Sequence, residues 1–186
     1  MIRYAIAAPP RHGKTTTLLA LARGLARAGT SCTGVAQPAL YQGGRVVGYE
    51  LVDIPSGERR PFAKRRGHPS SSTLWSRDRL PTPGALPFRF DDTGLAWAAA
   101  RIQRPADVLL VDELGWLEAA GHGHLPALQT ALSGGLHRAV VLAVRMDALP
   151  AIEAHLGSFR VLSVPTASAA AFTHTLRDEL KKENCR

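Results

Sequence analysis

Cysteine is nearly missing from this chain: its 186 residues include two, Cys32 and Cys185, far apart and without a partner at metal-ligand spacing. That scarcity argues against a disulfide framework or a zinc site and points to a reducing, cytoplasmic setting. Long apolar runs are missing too. The opening "MIRYAIAAPP" is stopped by two prolines and followed by charge. It is too short to span a bilayer and lacks the pattern of a signal peptide, so no membrane partner is expected. Acidic residues are outnumbered, 15 against 23 Lys and Arg, for a net charge of +8. This balance permits a nucleic-acid partner. An arginine-rich surface around a site that attracts polyphosphate accounts for the same charge and is the preferred reading.

The composition is otherwise globular, with 45% hydrophobic and 20% charged residues. The length fits one domain over 1–186 and buries enough apolar surface for an ordinary core. Ile2 to Ala7 reads as a short buried strand, and 14–28 repeats Leu18, Leu19, Ala22, Leu25 and Ala26 at helical spacing, with Gly29 as the stop. A strand near Thr33–Gln37 follows. Next, Val47, Tyr49 and Leu51 alternate between glycine-containing turns, as in a hairpin or meander. From Pro55 the pattern dissolves, and 59–87 is predicted to be an irregular basic excursion. Its arginines and lysine (Arg59, Arg60, Lys64, Arg65, Arg66) suit a lid over triphosphate, a solvated loop or, ranked lower, a nucleic-acid contact.

Order returns at "FDDTGLAWAAARIQ", where Asp91 or Asp92 can cap a helix. "DVLLVDELGWLE" is an unbroken apolar run ending in acids, as expected of a central strand covered on both faces. A helix near 124–133, the strand "RAVVLAVR", a helix near 148–155, the strand "FRVLSV" and a final helix complete the alternation. The pattern predicts a three-layer α/β/α fold with a mostly parallel central sheet. Ligands in such sheets bind beyond the carboxyl ends of the strands, where both chemical motifs of this sequence fall.

The first motif is the loop Ala8, Pro9, Pro10, Arg11, His12, Gly13, Lys14, Thr15, Thr16 between the first strand and the first helix. It ends as a phosphate-binding loop, G-x-x-x-x-G-K-[ST], although Ala8 stands where that pattern has glycine. Backbone N–H groups and a helix N-terminus then cradle phosphate oxygens. Lys14 reaches the terminal phosphates and the Thr15 hydroxyl ligates Mg²⁺. The second motif is Asp112-Glu113 at the end of the apolar strand. Asp112 is placed to hold Mg²⁺ and Glu113 to activate an attacking water.

Together these residues resemble the family of small P-loop nucleoside-triphosphatases, the thermophile type and its human cancer-related counterpart. The family's loop, G-x-P-G-x-G-K-T-T, matches at Pro10, Gly13, Lys14, Thr15 and Thr16, and its D-E-[IL]-G-x-[ML]-E matches at Asp112, Glu113, Leu114, Gly115, Leu117 and Glu118. The segment "GGRVVGYELVDIPSGER" resembles the family's hairpin, while 59–87 is unmatched. The resemblance implies a Mg²⁺-dependent hydrolase of ATP, GTP or other nucleoside triphosphates. A P-loop nucleoside or nucleotide kinase and a nucleic-acid-binding P-loop module remain alternatives.

Ala8 and Arg11 replace family glycines. Ala8 is tolerated at negative φ and strained at positive φ. Arg11 either points off the loop or brings its guanidinium to the terminal phosphates. Glu118 either orients a lid or a phosphate-proximal residue or caps a helix, and Arg145 either senses the γ-phosphate or forms a surface ion pair. His122 and His124 read as a solvated turn rather than a metal site. Trp97 and Trp116 read as core or pocket wall, and Trp75 is a candidate for stacking on a base.

Overall fold

The computed structural model describes residues 1–66, 88–164 and 168–184. Cys185, Trp75 and most of the expected basic excursion lie outside these residues. Strand β1 (Ile2–Ala8) runs straight into the loop and then helix α1 (Lys14–Arg27). The helix buries Leu18, Leu21, Ala22 and Leu25 on one stripe. Gly29 ends it, with its amide bonded to Ala26 O (3.0 Å) and that of Thr30 to Leu25 O (3.0 Å), the paired bonds of a Schellman motif.

Four strands follow α1 in succession: β2 (Cys32–Ala36), β3 (Ala39–Gln42), β4 (Arg45–Asp53) and β5 (Arg59–Arg65). Short β6 (Phe88–Phe90) and helix α2 (Asp92–Ile102) follow. Of the two candidate caps, Asp91 does the work, accepting from Thr93 N at 3.0 Å. The acid-ended strand is β7 (Val108–Leu114), followed by α3 (Trp116–Ala119) and α4 (Leu125–Ser133). Then come β8 (Ala139–Arg145), α5 (Leu149–Leu156), β9 (Arg160–Ser163) and α6 (Ala169–Asn184).

The strands form one mixed sheet in the order β6-β5-β4-β2-β7-β8-β1-β9, with β3 paired to β4 outside that path. Strands β2, β7, β8, β1 and β9 are mutually parallel. Strands β3 to β6 extend the sheet in antiparallel pairing. Period-2 alternation divides the sheet into two cores. Tyr4, Ile6, Leu110 and Val141 pack against α1 and α6, whereas Leu109, Val111, Val140 and Leu142 pack against α2, α4 and α5. This is the expected three-layer α/β arrangement. Where β2 meets β7 the backbones nearly touch: Gly34 sits at φ +120°, and a Cβ there would lie 1.9 Å from Leu110 O.

Residues 59–65 correct the expectation of an irregular excursion beginning at Arg59. They form β5, paired with β4 and β6. Phe62 and Ala63 are 2% exposed and anchor the strand in the core. Pro61, which cannot donate to the ladder, sits opposite Glu50 beside a register shift. The arginines are satisfied laterally: Arg59 pairs with Glu50 (2.8 Å), and Arg60 lies 5.6 Å from the Trp97 ring centre.

Candidate active site

The loop after β1 is built around two left-handed residues. Gly13 at φ 82° turns the chain into α1, and Arg11 takes φ 66° with a side chain that disfavours it. Ala8, the other departure from the loop pattern, stays on the β side of φ as the last residue of β1 and is 1% exposed. The extra methyl is therefore unstrained, and the backbone strain of this loop resides at Arg11. Lys14 opens α1 and is buried (3% exposed). Its Nζ donates to Ala8 O (3.3 Å) and Pro9 O (3.2 Å), so the ammonium is held across the loop. His12 Nδ1 lies 2.9 Å from Pro10 O. The first amides of α1 have no acceptor within the helix, which makes its N-terminus an anion site.

Strand β8 separates β1 from β7, and the β7 terminus supplies the acids. Asp112 is fully buried. Its Oδ2 accepts from Gln37 N (3.0 Å), while Oδ1 has no partner within hydrogen-bonding distance. Burial, reinforced by the charge of Glu113, pushes its pKa up to about 6 against the pull of the Gln37 amide and the Thr15 hydroxyl. A register shift between Val111 and Leu114 breaks the β7–β8 ladder, and within it Glu113 adopts φ 58°. Among the described residues, Arg11 and Glu113 are the non-glycine residues at positive φ.

Both strained residues line one cleft of about 550 Å³, together with Lys14, Thr15, Thr16 and Arg145. Four cations (Arg11, Lys14, Arg65 and Arg145) face it against one carboxylate, Glu113. Such a balance attracts a polyanion. Arg145 holds Asp147 through Nε (3.1 Å) and its terminal nitrogen (2.7 Å), so the ion-pair reading is the one realised, at a residue that also lines the cleft. The donor set suits a small hard cation: a threonine hydroxyl, and a carboxylate with one buried oxygen lacking a partner. Among the described residues no cluster of three or more His, Cys, Asp or Glu could hold a metal alone. A cation here would share its shell with phosphate oxygens, the usual habit of Mg²⁺.

Other candidates sort by contact. Glu118 is buried and acts as a cap: its Oε2 accepts from Gly115 N (2.9 Å) and its Oε1 from His124 N (3.1 Å). Burial pushes its pKa up to about 7. His122 and His124 do not form a solvated pair. His124 is 2% exposed, stacks on Phe62 at 5.7 Å and has its pKa lowered to about 4 by burial. Trp97 is core, and Trp116 is a half-exposed pocket wall.

Gln37 and Tyr49 line the cleft and escaped the reading of the sequence as site residues. The position of Gln37 just past β2, at the edge of the sheet where β1 and β7 also end, is the signal that could have found it. A second, smaller hollow of about 240 Å³ adjoins the cleft and shares Gln37, Tyr49, Phe88, Glu113 and Arg145 with it.

Residues 3–166 match the family model described as NTPase. The nucleoside-triphosphatase THEP1 of Methanopyrus kandleri is 29% identical over 66% of this chain and 62% of its own length. That of Ignicoccus hospitalis is 30% identical over 69% of this chain and 65% of its own length. The chain thus spans somewhat less than two thirds of these curated relatives. Among solved structures, a human cancer-related nucleoside triphosphatase superposes with a TM-score of 0.69 at 18% identity, covering 98% of both chains. THEP1 from Aquifex aeolicus gives 0.64 at 13% identity, covering 97% of this chain and 99% of that one. At these identities the likeness is one of fold.

Proposed function

The chain belongs to the NTPase family, and from that premise we propose that it hydrolyses nucleoside triphosphates such as ATP and GTP with the help of Mg²⁺. One observation carries the reading: Lys14, Thr15 and Glu113 converge on a single cationic cleft with the unpartnered oxygen of Asp112 behind it. Thr15 and Asp112 would hold the Mg²⁺, which when bound neutralises phosphate charge. The α1 amides and the Lys14 ammonium bind the phosphates and stabilise charge on the transferring group. Arg11 and Arg145 add positive charge at the cleft wall. Glu113 accepts a proton from water as its oxygen bonds to the terminal phosphorus. The bridging P–O bond breaks, and nucleoside diphosphate leaves with the electron pair. The strained Glu113 backbone fits this role, since sparsely populated conformations persist where a side chain must be aimed.

The test is Glu113→Gln, which keeps shape and removes the proton acceptor. Triphosphate and Mg²⁺ should still bind, while hydrolysis falls by roughly 10²–10⁴-fold, the range for a general base. Asp112→Asn should instead weaken Mg²⁺ dependence and nucleotide binding together. An undiminished rate in Glu113→Gln removes Glu113 from the mechanism.

A further inference from the structure

Most of the wall of the smaller hollow beside the cleft consists of residues that the hydrolytic reading leaves unused. Aromatic rings dominate its wall: Tyr49, Phe62, Phe88, Phe90 and Trp116. They are packed edge to face or tilted, Tyr49 on Phe88 at 5.1 Å and Phe62 on Phe90 at 5.4 Å. Trp116 remains 45% exposed beneath the Arg145 guanidinium, 5.9 Å from its ring centre. The charged groups on the wall are mostly committed already. Both oxygens of Glu118 accept backbone amides, and Arg145 holds Asp147. The hollow therefore suits a flat, uncharged ring. At about 240 Å³ it falls just below the ~300–1,000 Å³ of sites that enclose whole drug-sized ligands. Glu113 stands at the doorway, lining hollow and cleft alike.

Its position says which molecule the ring belongs to. In a loop of this kind Lys14 marks the β/γ end of the triphosphate, and Glu113 marks the side from which the nucleophile attacks. The base of the bound triphosphate hangs from the opposite, α-phosphate end. A ring in this hollow must therefore belong to a second molecule, on the nucleophile's side.

Resting on the hydrolase reading above, we propose that the hollow receives a nucleoside whose alcohol takes the place of water, giving the protein a phosphotransferase activity beside hydrolysis. The base stacks among the aromatic side chains. The sugar hydroxyl gives its proton to Glu113, and its oxygen bonds to the γ-phosphorus. The bond from that phosphorus to the bridging oxygen breaks, and nucleoside diphosphate departs with the electron pair. The products are a nucleoside monophosphate and a nucleoside diphosphate, and Glu113 returns its proton to solvent.

The full chain, with Mg²⁺ and ATP labelled at the γ-phosphate, would be incubated with millimolar adenosine, guanosine, cytidine, uridine or thymidine, and labelled monophosphate separated from free phosphate. Label is expected in the monophosphate of at least one nucleoside. Trp116→Ala should then lower the ratio of transfer to hydrolysis by about tenfold, the loss expected of one stacking contact. A structural defect would depress both rates and leave that ratio unchanged, and Phe90→Leu offers the same comparison if the first variant does not fold. Free phosphate without labelled monophosphate from any of the five overturns the proposal and leaves the hydrolase intact. Transfer with an unchanged ratio in both variants places the acceptor elsewhere and overturns it as well. Neither product would mean that the hydrolase reading itself has failed.

Discussion

Arg11 carries two opposed effects in one side chain. Its left-handed backbone disfavours a residue with a Cβ by about 1–2 kcal/mol. Glycine relieves that strain but adds about 0.4–1 kcal/mol of freedom to the unfolded chain. Arg11→Gly should therefore raise stability slightly, by up to about 1 kcal/mol in denaturant unfolding. The same change removes one of the four cations facing the cleft. Triphosphate affinity should fall by roughly two- to fivefold at low salt, the range for one exposed charge pair, and by less as salt screens it. Titration calorimetry with a non-hydrolysable analogue would measure this, and an unchanged affinity would put the guanidinium off the cleft. Ala8, by contrast, is a departure in letters only, because β1 runs through it.

At the scale of the elements, the turn from β7 into α3 and α4 is held by one buried carboxylate. Glu118 has its pKa raised from 4.5 to about 7, so its protonated form is favoured in the folded state. The stability it contributes is complete below about pH 4.5 and is lost as pH rises through about 7. His124, lowered from 6.5 to about 4, works in the opposite sense, and Glu113 is the other charge bearing on Glu118. In Glu118→Gln the overall stability should drop by about 1 kcal/mol for the lost acceptor. The decline with pH between 4.5 and 7 should also become shallower, what remains being set by Asp112, raised in the same sense, and by His124 in the opposite one. Unfolding midpoints across that window check it, and a wild-type slope in the variant would show that Glu118 does not titrate there. None of this coupling was legible in the sequence. Glu118 was readable as a cap from its spacing to Gly115, but the burial of His124 depends on Phe62 of β5, a strand hidden by its arginines. The elements β1, α1, β7 and β8 were legible, because their apolar periods and the two motifs agree. The left-handed Glu113 was not, since it arises from a ladder shift between strands about thirty residues apart.

For the whole molecule, the parallel half of the sheet brings the loop after β1 and the acids to one edge, and the antiparallel half walls the cleft. Arg65 and Phe88 come from β5 and its partner β6, far from both motifs in sequence. Saturation with a non-hydrolysable triphosphate and Mg²⁺ should therefore slow hydrogen exchange at 59–66 as well as in the loop at 8–16. Protection confined to the loop would show that the antiparallel strands take no part in binding. Four of the chain's cations face this cleft against one carboxylate, so part of the net charge of +8 is concentrated there.

The place of β1 in the sheet also dictates an order of events during synthesis. Ile2 pairs with Ala139 and Tyr4 with Arg160, so the first strand made is bracketed by two of the last. A ribosome delivers β1, with its apolar face and its loop, long before either neighbour exists. Contacts so distant along the chain form slowly and leave apolar surface exposed meanwhile. The loop after β1 is therefore the earliest part of the candidate site to be translated and among the last to be given its shape.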